Sequence, residues 1–310
     1  MTKLLILGSD GLLGRNAFSY FSNTGKFEVI GSTRNELDLR NQILVEKYFK
    51  EIKPDIVLLS AANVGGIKLN MENPTELLID NIQIATNVIR TSYSNKVARL
   101  INFGSSCMYP VDSKQPMNTN FLLTGPPEIT SESYANYKLA TWKMIDAMRN
   151  QFGKTWITII PSTIFGPHDN FSLSKGHVIS SLIRKFHEAK NNLETEITLW
   201  GDGTPLREFV YVEDFLCALE LVLESNINES IFNVGSGHEV SISDLAKEIA
   251  SVVGFEGEIA WDTSKPNGSQ RKLLDSSYIK SLGWKPKVSL SEGIENTYHW
   301  FTDPNSKVRI

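Results

Sequence analysis

The sequence predicts an α/β chain built on a doubly wound parallel sheet, with a smaller α/β lid drawn from its second half. Three observations predict it. Short apolar runs of strand length alternate with helical stretches over residues 1–165, the pattern of parallel strands joined by crossover helices. A glycine-rich turn, Gly8-Ser-Asp-Gly11-Leu12-Leu13-Gly14, separates the first strand from the first helix. Polar residues gather where later strands end, and open parallel sheets bind their ligands outside those ends.

Taken in order, Lys3–Leu7 is a buried strand followed by a helix to about Phe21. A second strand spans Glu28–Gly31, and Asn41–Lys50 is an amphipathic helix with Ile43, Leu44 and Tyr48 at helical spacing. Pro54 precedes a third strand, Ile56–Leu59, and a long helix covers Leu77–Ser94. Ala98–Phe103 is the next strand, a helix starts at Glu132, and Trp156–Ile160 is a further strand. Beyond Gly166 the pattern is irregular, with helices at Val178–Lys190 and Ser243–Val253 and a strand, Ile231–Val234, returning to the sheet. The expected division is a nucleotide-binding domain at 1–165, with returns from about 205–240, and a mostly substrate-binding part at 166–310.

Composition narrows the function. A chain of 310 residues with 41% hydrophobic residues can bury a substantial core, and its net charge of −4 gives no general attraction to nucleic acid or anionic membrane. Cys107 and Cys217 are the only cysteines, too few for a disulfide framework and wrongly spaced for zinc. The five histidines form no metal-ligand pattern. Leu4–Leu7 is too short for a signal peptide, and no apolar run approaches the roughly 20 residues that cross a bilayer. The expectation is a soluble, cytoplasmic protein without metal. Asn170, Asn228 and Asn267 match the glycosylation pattern, which has no meaning without a secretion signal.

The chemistry concentrates between Gly104 and Lys138. Ser105, Ser106 and Cys107 follow directly on a strand, and Tyr134 and Lys138 lie four apart on one helix face, from which Tyr137 is excluded. A free tyrosine has a pKa of about 10, so a neighbouring ammonium is expected to favour the tyrosinate. A Ser–Tyr–Lys set suits carbonyl reduction. The serine holds the carbonyl oxygen, the tyrosine gives the proton, and the lysine stabilises tyrosinate and holds the cofactor ribose. With nine tyrosines in the chain, roughly one Tyr-x-x-x-Lys arises by chance, so the pair alone decides nothing. The glycine turn, spaced GxxGxxG, lets backbone amides approach a pyrophosphate at a helix N-terminus. After the second strand an NAD site presents an acid, whereas this chain has Ser32-Thr33-Arg34-Asn35. Arg34 argues for the 2′-phosphate of NADP; a solvent-exposed loop arginine is the alternative.

Longer motifs sharpen this. Ala61-Ala62-Asn-Val-Gly-Gly-Ile, Gly104-Ser-Ser-Cys-Met-Tyr-Pro, Gly166-Pro-His-Asp-Asn-Phe, His177-Val-Ile, Arg184-Lys-Phe-His-Glu-Ala, Trp200-Gly-Asp-Gly-Thr-Pro-Leu-Arg-Glu-Phe and Arg271-Lys-Leu-Leu-Asp occur in that order. Together they resemble the extended short-chain dehydrogenase/reductase superfamily over nearly the whole chain, and within it the GDP-L-fucose synthases. The resemblance implies a Rossmann-type fold and an NADPH-dependent epimerase–reductase. Its substrate would be the GDP-keto-sugar GDP-4-keto-6-deoxy-D-mannose, inverted at C3 and C5 and reduced at C4 to GDP-L-fucose. By the same resemblance Ser105, Tyr134 and Lys138 are the reductase set, and Cys107 and His177 the base and acid of epimerisation. Read alone, Cys107 is a small buried hydrophobe and His177 a surface or capping residue. A thiol near 8.5 and an imidazole near 6.5 are both within reach of neutral pH.

The resemblance further assigns NADP(H) to Gly8, Gly11, Leu12, Leu13, Gly14, Arg34, Asp38, Leu39, Ala61, Ala62, Pro161, Thr163 and Ile164, together with Ser105, Tyr134, Lys138 and His177. Lys185, Trp200, Arg207, Lys272 and Asn267 match its substrate positions. It also implies a homodimer through helices near Leu77–Ser94 and Tyr134–Asn150. Three departures stand out: Asp10 where an arginine often lies near the NADP phosphate, Thr163 for an asparagine, and Asn267 for an aspartate. Two of them lie toward the sugar nucleotide and leave room for a 3-deoxy sugar, as in a GDP-L-colitose synthase. A plain C4 reductase, an NAD-dependent UDP-hexose 4-epimerase and a non-catalytic NADP-binding protein are the other readings.

Overall fold

Four consecutive aliphatic side chains cannot alternate between core and water, so Leu4-Leu5-Ile6-Leu7 requires cover on both faces. The computed structural model provides it, describing residues 1–65, 67–227, 229–265 and 267–310. Gly66 and Asn228, each part of a motif noted above, and Pro266 lie outside the described residues. The first half runs β1 (Thr2–Leu7), α1 (Leu12–Thr24), β2 (Phe27–Ser32), α2 (Gln42–Ile52), β3 (Ile56–Leu59), α3 (Ile67–Glu72), α4 (Pro74–Ser94), β4 (Arg99–Phe103), α5 (Glu132–Phe152) and β5 (Ile157–Pro161). Then come β6 (Thr163–Phe165), α6 (Val178–Asn191), β7 (Glu196–Trp200), β8 (Leu206–Tyr211), α7 (Val212–Glu224) and β9 (Ile231–Val234). The chain closes with β10 (Glu239–Ser241), α8 (Ile242–Val253), β11 (Glu258–Asp262), β12 (Arg271–Lys272), α9 (Ser277–Ser281) and α10 (Leu290–Thr302).

The main sheet has six strands in the order β2-β1-β3-β4-β5-β9, paired in parallel throughout. Strand order reverses between β1 and β3, which opens a crevice at the carboxyl ends of those strands. Alternate strand residues divide the core. Leu4, Ile6, Leu58 and Ile101 pack with Phe21 of α1 and Phe215 of α7, whereas Leu5, Leu7, Val57 and Leu100 pack with Phe49 of α2, Val88 of α4 and Ile145 of α5. The predicted return of Ile231–Val234 is found as β9, and α7 from the second half covers one face of the same sheet.

Beside the main sheet lies a second layer. β10, β8 and β12 form a sheet in that order, β6 also pairs with β8, and β11 pairs with β7 in parallel. α6, α8 and α10 cover these strands through Phe186, Leu245, Ile249 and Ile294. Two sequence expectations need correction. The buried face of α2 is Val45 and Phe49, while Ile43 and Leu44 are exposed, because only the former face the sheet. The long helix before β4 starts at Pro74 rather than Leu77, with proline in the first turn, where its missing N–H costs nothing. No helix among the described residues is long and apolar enough to cross a membrane.

Asp214, at the start of α7, is buried and ties the two layers together. Its carboxylate accepts the backbone N–H groups of Lys287 and Val288 at 3.0 and 2.9 Å, and its carbonyl accepts Trp284 Nε1–H at 3.0 Å. Asp214→Ala strips two amides of their partner and should destabilise the fold by about 2–4 kcal/mol. Urea unfolding monitored by tryptophan fluorescence measures this; an unchanged midpoint would show that water replaces the carboxylate.

Candidate active site

A cavity of about 570 Å³ opens along the carboxyl ends of β1 to β5. It is lined by Gly8, Gly11, Leu12, Leu13 and Gly14 of the first turn, by Arg34, Asp38 and Leu39 after β2, and by Ala61 and Ala62 after β3. Ser105 follows β4, Tyr134 and Lys138 project from α5, and Pro161, Thr163, Ile164 and His177 complete the wall. Every position that the sequence assigned to the cofactor therefore meets in one place. Asp10, Ser162, Asp169, Lys175 and Arg309 also line it.

The glycine turn is tight for a steric reason. A Cβ on Gly14 would stand 2.1 Å from the Gly8 carbonyl oxygen, so helix and turn could not close with any other residue. Gly11 caps α1 without a side-chain hydrogen bond, and a Cβ there would meet only the Gly8 carbonyl oxygen, at 3.6 Å. The first amides of the 13-residue helix α1 thus face the cavity without a side-chain cap, as a pyrophosphate requires. Ser162 Oγ is buried without a partner among the described residues. These features fit a dinucleotide. At the adenosine end, Arg40 is held between Asp38 at 2.8 Å and Asp80 at 3.1 Å, and its hydrogen bonds keep the Asp38 carboxyl down at about 2. Arg34 makes no ion pair among the described residues and remains available to an anionic ligand.

The catalytic wall differs from expectation in its electrostatics. Ser105 Oγ accepts the Cys107 thiol hydrogen at 3.1 Å. Lys138 Nζ donates to the Phe103 carbonyl oxygen and lies 5.6 Å from the Tyr134 ring centre and 5.0 Å from that of Tyr137. Tyr137, expected to point away, packs edge-on against Tyr134 at 5.1 Å. The expected lowering of the Tyr134 pKa by Lys138 is overturned. Burial pushes the phenol above its ordinary value, with Cys107 acting in the same direction, while burial drives Lys138 itself down to about 8. Cys107 likewise departs from a near-neutral thiol. Burial raises it, and Lys272 is the foremost of the groups opposing that rise.

His177 stands at the start of α6, its side chain 52% exposed, with Nδ1 3.2 Å from Asp169 Oδ1. Asp169 is buried and also accepts from the Ser180 hydroxyl and from the Asn170 backbone N–H at 2.7 Å. Desolvation works to lower the imidazole, but the Asp169 carboxylate prevails and raises it. Asp169 was visible in the Gly-Pro-His-Asp motif and escaped notice because its partner is eight residues away. The five expected substrate residues lie outside this cavity, on the second layer. Arg207 of β8 is in register with Lys272 of β12, and Lys272 Nζ is 3.9 Å from Glu128, a residue the sequence reading missed. Trp200 is 67% exposed. Asn267 Oδ1 accepts the Asp202 amide at 2.9 Å beside it, and Lys185 donates to the Thr198 carbonyl.

A dinucleotide crevice adjoining a Ser–Tyr–Lys wall, its lysine buried, defines a nicotinamide-nucleotide enzyme of the short-chain dehydrogenase/reductase type. Residues 4–235 match the model of the NAD dependent epimerase/dehydratase family. The chain is 43% identical over 299 residues to GDP-L-fucose synthase 1 of Arabidopsis thaliana, covering 96% of this chain and 93% of that protein. It is 38% identical over 316 residues to GDP-L-fucose synthase of Escherichia coli (strain K12), covering 99% and 98%. Among solved structures, a GDP-mannoheptose C4 reductase from Campylobacter jejuni with NADP bound superposes with a TM-score of 0.86 at 30% identity, covering 97% and 98%. The chain belongs to the NAD dependent epimerase/dehydratase family and, within it, to the GDP-L-fucose synthases.

Two titrations follow from this geometry. In a Cys217→Ser background, iodoacetamide should label Cys107 slowly near neutral pH and faster well above its ordinary thiol range. Lys272→Met removes a charge that favours thiolate, so labelling at pH 9 should slow by roughly threefold or more; an unchanged rate would place the ammonium out of reach. The raised His177 contributes stability in full below about pH 6.5 and loses it as pH rises through its raised value. The lowered Asp169 contributes above about pH 4 and loses it as pH falls through its lowered value. Asp169→Asn should therefore lower the His177 pKa in an NMR titration and cost the most stability between those limits.

Proposed function

We propose that the chain is an NADPH-dependent epimerase–reductase that converts GDP-4-keto-6-deoxy-D-mannose to GDP-L-fucose. The observation that carries this reading is the 3.1 Å contact between Cys107 Sγ and Ser105 Oγ. A group able to take a proton from carbon adjoins the hydroxyl that holds the carbonyl, so one wall serves both halves of the reaction.

A proton beside a ketone is acidic because the enolate charge moves onto oxygen, where Ser105 and Tyr134 donate hydrogen bonds. Inversion needs proton removal on one face and return on the other. Cys107 takes the proton, with Lys272 favouring its thiolate, and His177 returns one. The Asp169 carboxylate raises the imidazole, which keeps it protonated nearer neutral pH. NADPH, when bound, supplies the hydride for C4. Tyr134, kept protonated by burial, gives its proton to the C4 oxygen, and Lys138 holds the ribose and steadies the resulting tyrosinate.

The glycine turn holds the pyrophosphate, Arg34 the 2′-phosphate, and Asp38 with Leu39 the adenosine. Arg207 and Lys272 receive the substrate diphosphate, Trp200 offers a flat face, and Lys185 and Asn267 complete the substrate side. Residues 1–165 with the later sheet returns thus bind the nucleotide, and 166–310 mostly bind substrate. The reading includes a cytoplasmic homodimer through α4 and α5, supported by exposed Ile79, Tyr93 and Phe152 along or beside these neighbouring helices. Sedimentation as a monomer at micromolar concentration would remove that part.

Turnover with GDP-4-keto-6-deoxy-D-mannose and NADPH in heavy water tests the whole scheme. The product should be the L-galacto sugar with deuterium at C3 and C5, and Cys107→Ser should suppress the exchange at least about a hundredfold. Deuterium at C5 alone would indicate a 3-deoxy substrate, as in colitose synthesis. Reduction without deuterium would make the enzyme a plain C4 reductase and end the roles given to Cys107 and His177.

A further inference from the structure

The last residues of the sequence return to the cofactor cavity. The Phe171 backbone N–H donates to the Arg309 carbonyl oxygen at 2.8 Å, and Asn170 forms a parallel bridge with Arg309. These are main-chain bonds, so the segment is held whatever side chain stands at 309. The Arg309 guanidinium gives one N–H to the His168 carbonyl oxygen at 2.9 Å and lines the cavity that also contains Gly11 and Leu12. A guanidinium has five N–H donors in a planar fork, so most of its capacity is unused.

Its surroundings specify what it faces. Its bond to the His168 carbonyl oxygen and its main-chain bridge to Asn170 place it beside the segment that carries Asp169, and its charge opposes protonation of both His168 and His177. Asn16 of α1 donates to the Pro167 carbonyl oxygen at 2.8 Å, so the segment to which Arg309 is bonded meets the cavity where α1 begins. The nearby Asp169 carboxylate is taken up by His177, Ser180 and the Asn170 amide. Among the described residues Arg309 has no ion-pair partner. Arg34 lies after β2, the edge strand on the far side of the crevice.

We propose that Arg309 is a further cofactor-binding residue, whose guanidinium contacts the pyrophosphate of the dinucleotide at the start of α1. The assignment rests on the reading of this cavity as the NADPH site. It gives the site a cation on the pyrophosphate side, while Asp10 at the turn supplies none. Because NADPH and NADH share the pyrophosphate and differ in the 2′-phosphate, Arg309 and Arg34 have separable signatures.

Dissociation constants of NADPH and NADH, from reduced-nicotinamide fluorescence without substrate, test this in the wild-type chain and in Arg309→Ala, Arg309→Lys and Arg34→Ala. Arg309→Ala should weaken both dinucleotides by a similar factor, roughly tenfold, with Arg309→Lys in between and Arg34→Ala affecting NADPH alone. The melting temperature of Arg309→Ala should stay at the wild-type value, because the strap is bonded through its main chain. Unchanged constants for Arg309→Ala, or a loss confined to NADPH, would overturn the assignment. If the wild-type chain bound neither dinucleotide, the cofactor reading itself would fall.

Discussion

Burial of the wall between β4 and α5 is the constraint on which the rest of the site depends. Desolvation disfavours charge, so it raises Tyr134 and Cys107 and lowers Lys138 through one cause. Two acids are kept neutral and one cation is weakened. The amine answers by donating to the Phe103 carbonyl instead of pairing with a carboxylate. A wall of this kind holds protons until substrate and cofactor alter its electrostatics, which suits a group that must give a proton late and a thiol that must not react early.

The main sheet supplies the place for that wall, and the second layer supplies most of the charge around it. Reversal of strand order between β1 and β3 opens the crevice, and the Gly8–Gly14 contact lets α1 begin against it. Lys272, Arg207 and Glu128 approach from β12, β8 and the loop before α5, elements far apart in sequence. Asp169 and His177 stand between the layers as a fixed pair. Asp214 holds the layers in register, so the positions of these charges depend on contacts away from the chemistry.

How much of this was legible in the chain depended on distance along it. The glycine turn, the residues after β2 and β3 and the Tyr134–Lys138 spacing are local patterns, and the positions they named line one cavity. The face of α2 was misjudged because Ile43 and Val45 are equally apolar and only the direction of the sheet separates them. β8, β10 and β12 escaped recognition because strands of two to six residues are defined by their partners as much as by their composition. Glu128 and Arg309 were silent for the same reason, since their partners Lys272 and His168 are 144 and 141 residues away.

By itself the sequence determined the doubly wound α/β plan and the glycine turn between its first strand and first helix. Those follow from side-chain size and short-range spacing, which act within a few residues. The tertiary structure decided the protonation of Tyr134 and Cys107. Burial raises the Tyr134 phenol, and for Cys107 desolvation outweighs the nearby Lys272 and Lys138 charges and raises the thiol. That balance depends on how many layers of protein stand between a group and water, a quantity set only when distant segments pack together.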